Sequence, residues 1–230
     1  MSADLVDKVL PARRVHLLAG VSDAGKTRFI IPAMVDFQEG KPFLGHTSHP
    51  VPWAYVIGDR LEEEAHDTIS SMGIDPSKIQ MIPAFGPHNK SYRQIMAAAA
   101  KLDPIPQLLV IEGFADLVGG KDSRRDVREF LGTMGAYCCD KKLFPAGLAV
   151  LGVVETPKMK PGEIYGNPRQ RVSGVSAWGY HSSTIILIEK AGTDVSMETP
   201  DRSMWVCMKN SRREKLAAQF NEAGCLRLVK

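Results

Sequence analysis

Short apolar runs alternate with stretches in which apolar residues recur every three or four positions. Val15 to Leu18 reads as a strand, and Lys26 to Phe37 as a helix presenting Ile30, Met34 and Phe37 on one face. The same pairing repeats as strand Ala54 to Gly58 with helix Leu61 to Met72, and as strand Ile79 to Ile82 with helix Ser91 to Leu102. Leu108 to Ile111 is wholly apolar, as befits a strand buried on both faces. After it, Val127, Phe130, Leu131, Met134 and Cys138 line one side of a helix whose other side carries Arg124, Arg125, Arg128 and Glu129. Leu148 to Val154 is another buried strand. From Thr156 to Gln170 periodicity is lost in a Pro- and Gly-rich stretch that reads as a long loop. The texture then changes to strands alone: Thr184 to Ile188, Met204 to Met208, and a hairpin from Ala217 to Val229 turning near Asn221 to Gly224.

This order predicts an α/β fold: a mostly parallel central sheet, helices on both faces, and antiparallel C-terminal strands. No repeat or linker divides the 230 residues, so 15–230 is expected to form one domain, preceded by an arm or short helix over 1–14. The content, 44% hydrophobic and 24% charged, is that of a globular protein and excludes wholesale disorder. A net charge of +3, from 29 basic and 26 acidic residues, neither requires nor excludes nucleic acid. The nearly apolar run Pro145 to Val154 is far below the roughly 18 residues of a membrane span. Asp4 and Asp7 stand where a secretory leader needs an apolar core. A cytoplasmic protein without membrane contact is expected. Cys138, Cys139, Cys207 and Cys225 lack metal-ligand spacing and read as small hydrophobes.

Candidate chemistry begins directly after the first strand. Gly20-Val21-Ser22-Asp23-Ala24-Gly25-Lys26-Thr27 is a complete G-x-x-x-x-G-K-T, in which glycines let consecutive N–H groups converge on a phosphate. Lys26 is placed to reach the β- and γ-phosphates, and Thr27 to ligate Mg²⁺. Ligands of such sheets sit beyond the carboxyl ends of the strands. Glu112 ends the buried strand Leu108 to Ile111 at the Walker B position, as a second Mg²⁺ ligand or else as a solvated strand-end acid. Asp59, at the end of the second strand, is the candidate carboxylate for orienting an attacking water, which makes Lys26, Asp59 and Glu112 the catalytic candidates.

On these motifs, with Gly40-Lys41-Pro42, Ala54 to Asp59 and Val206 to Arg212, the chain resembles the RecA-like P-loop ATPases. Within them it is most similar to the RepA-type hexameric replicative helicases of plasmids and phages. The resemblance implies ATP and Mg²⁺ as cofactors, a homo-oligomer with ATP between subunits, single-stranded DNA and other replication or recombination proteins as partners, and a host cytoplasm. It places Lys209, Arg212 and Arg213 where a neighbouring subunit would supply positive charge, although a basic strand edge accounts for them equally. It makes the 156–174 loop a DNA contact through Lys158, Lys160, Tyr165, Arg169 and Arg171, the alternative being plain surface. Asp59 and Glu112 depart from the glutamate and aspartate usual in the family, and Arg60 replaces a second acid. A strand-annealing ATPase and a scaffold with slow hydrolysis therefore stand beside the ring helicase.

Overall fold

The computed structural model describes residues 4–86, 90–118, 123–156, 177–190, 202–208 and 213–229. Among the described residues there are nine strands: β1 (Val15–Gly20), β2 (Trp53–Ile57), β3 (Gln80–Pro83), β4 (Leu108–Ile111), β5 (Ala149–Glu155), β6 (Thr184–Lys190), β7 (Arg202–Met208), β8 (Arg213–Phe220) and β9 (Leu226–Leu228). The helices are α1 (Lys26–Gln38), α2 (Glu62–Ser71), α3 (Tyr92–Ala99), α4 (Arg124–Cys139) and a five-residue α5 (Ala177–His181). All nine strands join one sheet in the order β3-β2-β4-β5-β1-β6-β7-β8-β9. Pairing is parallel from β3 to β6 and antiparallel from β6 to β9. The architecture is the α/β arrangement expected from the alternation of patterns.

Strand residues point alternately to two cores. On β4, Leu108 and Val110 enter the core roofed by α1 and α2, while Leu109 and Ile111 enter the one roofed by α3 and α4. Amphipathic spacing decides what each helix buries: Ile30, Met34 and Phe37 from α1, and Val127, Phe130, Leu131, Met134 and Cys138 from α4. Three of the four cysteines are buried and Cys139 is exposed.

The head segment is not a helix. Leu5, Val6, Val9 and Leu10 are buried in the core of their own chain, beside α1. Their spacing imitates a helix, but Lys8 adopts φ 63° and Val6 O accepts the N–H groups of both Val9 and Leu10, closing a tight turn. Val6 also bridges to Ser48, and Asp7 N–H donates to Thr47 O at 3.1 Å.

Parallel pairing brings the strand ends together. Gly20 lies opposite Glu155 in the β1–β5 register, and Glu112 N–H donates to Val56 O at 3.1 Å. Between β2 and β4 the chains approach so closely that a Cβ on Gly58 would stand 2.0 Å from Glu112 O, which only glycine avoids.

Leu10→Ala should cost about 2–4 kcal/mol in urea unfolding, as for other fully buried leucines. A cost under about 0.5 kcal/mol, typical of surface changes, would mean that the head segment does not contribute to the core.

Candidate functional site

The first strand delivers its phosphate-loop sequence to the sheet's carboxyl edge. Asp23 (φ 60°) and Gly25 (φ 91°) both take left-handed backbone there. Gly25 cannot be replaced without strain, because an added Cβ would also meet the Phe220 ring at 2.8 Å. Helices α3 and α4 begin with serine side chains accepting an N–H, from Gln94 and Asp126 respectively. Among the described residues, α1 has no such cap and no acid in its first turn. Its N–H groups and positive dipole end are left for an anion.

Lys26 folds back over this loop, donating to Gly20 O at 3.0 Å and Val21 O at 2.9 Å. Its Nζ is 3.9 Å from Glu155 Oε1. Burial lowers its pKa, against the pull of Glu155, Glu112 and Asp59. The Thr27 hydroxyl donates to Glu112 Oε1. Glu112 is 1% exposed, and its other oxygen, Oε2, is buried without a hydrogen bond although Arg60 Nη2 lies 3.3 Å away. Arg60 instead aims its fork at Asp59, with Nε to Oδ1 at 3.0 Å and Nη2 to Oδ2 at 3.1 Å.

Two neighbouring acids in one site cannot both ionise freely. Burial, then the charge of Asp59, pushes Glu112 up to about 7. Burial alone would raise Asp59, but the hydrogen bonds and positive charge of Arg60 outweigh it and hold Asp59 below the usual range. Burial, then the adjacent Glu112, lifts the Tyr55 phenol well above its ordinary value. Of the two, Asp59 is the stronger acid and Glu112 the weaker.

Lys26, Thr27, Asp59, Arg60 and Glu112 line a cleft of about 490 Å³, together with Ser22, Asp23, Gly25, Arg28, Phe220 and Gly224. The C-terminal hairpin thus forms one wall, and Arg28 Nη1 donates to Gly224 O at 3.2 Å. Arg202, on β7, donates to Ala24 O at 3.1 Å and lies over the Phe220 ring, 5.1 Å from its centroid. Arg202, Phe220, Arg28 and Glu155 were not singled out by motif; Arg28 follows Thr27 on α1, and strand register brings the other three to the loop. Of the predicted site residues, Lys26, Thr27, Asp59 and Glu112 converge in this one cleft. Lys158, Lys160, Tyr165, Arg169, Arg171, Lys209 and Arg212 lie outside the described residues, and Arg213 is described only as the start of β8.

The donor set suits Mg²⁺. Among the described residues no group of three or more His, Cys, Asp or Glu forms a cage. Mg²⁺ characteristically takes one or two protein oxygens and completes its shell with phosphates and water. The Thr27 hydroxyl and the Glu112 carboxylate, with its orphaned oxygen, supply such a pair.

A phosphate loop after the first strand of this sheet, with acids closing two neighbouring strands, defines a RecA-like P-loop ATPase. The chain belongs to the AAA domain family, whose model matches residues 2–160. The fold is also that of a KaiC-like protein from the hyperthermophilic archaeon Pyrococcus horikoshii OT3. The two are 14% identical and superpose over 98% of this chain and 94% of the other, with a TM-score of 0.63. No curated protein matches the sequence significantly.

The raised Glu112 pKa has a signed consequence for stability. The folded state holds this proton more tightly than the unfolded chain, so stability falls as pH rises from about 4.5 to about 7. Glu112→Gln removes the penalty. In urea unfolding it should match the wild type near pH 4 and exceed it by about 3 kcal/mol at pH 8. A difference independent of pH would show that burial does not penalise this carboxylate.

Proposed function

We propose that the chain is an ATP-driven motor on single-stranded DNA, of the RepA-type replicative helicase branch, working as a homo-oligomer in the cytoplasm. One observation carries this reading. The phosphate loop is joined to the root of the segment expected to grip DNA. Lys26 reaches Glu155 at the end of β5, and Thr156 N–H donates to Gly20 O at 3.1 Å. Lys158, Lys160, Tyr165, Arg169 and Arg171 follow directly in sequence, a basic and aromatic set suited to a sequence-neutral grip on a strand. A ligand that draws Lys26 from Gly20, Val21 and Glu155 alters the anchor of that segment. Among the described residues no helix is long and apolar enough to cross a membrane.

In this reading the uncapped first turn of α1 and Lys26 bind the triphosphate of ATP. Thr27 and Glu112 would hold Mg²⁺, which when bound would neutralise charge on the phosphates. Asp59 orients the attacking water and accepts its proton. Lys209, Arg212 and Arg213 of a neighbouring copy add positive charge at the terminal phosphate, completing the site only in the oligomer, expected to be a hexamer. Other replication or recombination proteins are its expected partners.

A second reading is favoured by the Asp59–Arg60 pair. Both oxygens of the candidate base are engaged, which suits slow turnover in a strand-annealing or nucleotide-switched scaffold ATPase.

Purified protein should hydrolyse ATP faster with single-stranded oligonucleotide than without, and displace a strand from a forked duplex. Lys26→Ala should lower kcat/KM at least about a hundredfold, the scale seen when a preorganised charge is removed. Oligomers that bind nucleotide yet unwind nothing, with ATPase indifferent to DNA, would reject the motor in favour of the second reading.

A further inference from the structure

Among the described residues, Arg60 is the cation within ion-pairing reach of both candidate acids, and its placement has a use beyond neutralising them. Its guanidinium takes both oxygens of Asp59 and stands 3.3 Å from Glu112 Oε2, in the cleft that Lys26 and Thr27 also line. The Arg60 side chain is 27% exposed and lines the cleft, whereas Glu112 is 1% exposed. We infer that Arg60 is a latch on the general base. It holds Asp59 until the terminal phosphate of a bound triphosphate takes the guanidinium, and only then is Asp59 free to receive a proton from water.

The chemistry favours that exchange. A guanidinium fork pairs with phosphate as well as with carboxylate, and a terminal phosphate offers more negative charge than one carboxylate. A diphosphate leaves that position unfilled, so Arg60 stays on Asp59. While held, Asp59 has a guanidinium nitrogen on each oxygen and is a weak base. Arg60 thus acts at two points: it touches the phosphate and it positions Asp59. This rests on the reading of the cleft as an ATP site.

A permanent pin, in which Arg60 merely neutralises two acids, makes different predictions for binding. Titration calorimetry with Mg²⁺ and either ATPγS or ADP separates them without relying on turnover. For a latch, Arg60→Ala should reduce the ratio of ATPγS to ADP affinity at least about tenfold, with ADP affinity nearly unchanged. Asp59→Asn removes the competing charge, so it should tighten ATPγS about threefold or more and leave ADP alone. Arg60→Lys keeps the charge but not the fork, and should fall between wild type and alanine. It also serves if the alanine variant does not fold. Unchanged ratios in Asp59→Asn and Arg60→Lys, with the wild type binding both nucleotides, overturn the latch and leave the ATP site standing. Failure of the wild type to bind either nucleotide overturns the ATP site itself.

Discussion

The hydrogen bond from Thr27 to Glu112 ties the first turn of α1 to the end of β4, and the cleft is organised around it. Each partner is fixed by something else. Thr27 follows a loop whose path depends on the left-handed Asp23 and Gly25, and Glu112 closes a strand buried on both faces. Gly58 permits β2 to press against the Glu112 carbonyl, which sets Asp59 and Arg60 beside the same carboxylate. One contact between a hydroxyl and an acid therefore depends on three strand ends and a helix start being in register.

The electrostatics follow from that crowding. Asp59 and Glu112 share one partly buried volume, and Arg60 resolves the conflict unevenly by giving its fork to Asp59 and only proximity to Glu112. Burial, then the charge of Asp59, pushes the Glu112 carboxyl above the usual carboxylate range. A cation at its orphaned oxygen would shift that balance toward the carboxylate.

Much of the fold was legible because it is local. The G-x-x-x-x-G-K-T run, the apolar strand before Glu112 and the three-and-four spacing of α4 each need only neighbouring residues, and each appears where the sequence placed it. The head segment was not legible, since Leu5, Val6, Val9 and Leu10 match helical spacing while Lys8 breaks it. Helix α5, with five residues, is too short to show a period. In the cleft, Lys26, Thr27, Asp59 and Glu112 were readable from motif and strand position. The Arg60 fork, Glu155 opposite Gly20, and Arg202 and Phe220 from the antiparallel wing depend on side-chain conformation or register across strands distant in sequence, which no local pattern encodes.

Arg202 affects more than packing. Its guanidinium meets the carbonyls of Ala24, at 3.1 Å, and Asp23, at 3.4 Å. A positive charge on a carbonyl oxygen draws electron density through the peptide plane and makes the amide on its other side a better donor. The amides so polarised are those of Gly25 and Ala24, within the turn that leads into α1. The antiparallel wing thereby tunes, through bonds, the acidity of protons in a turn built almost two hundred residues earlier in the chain.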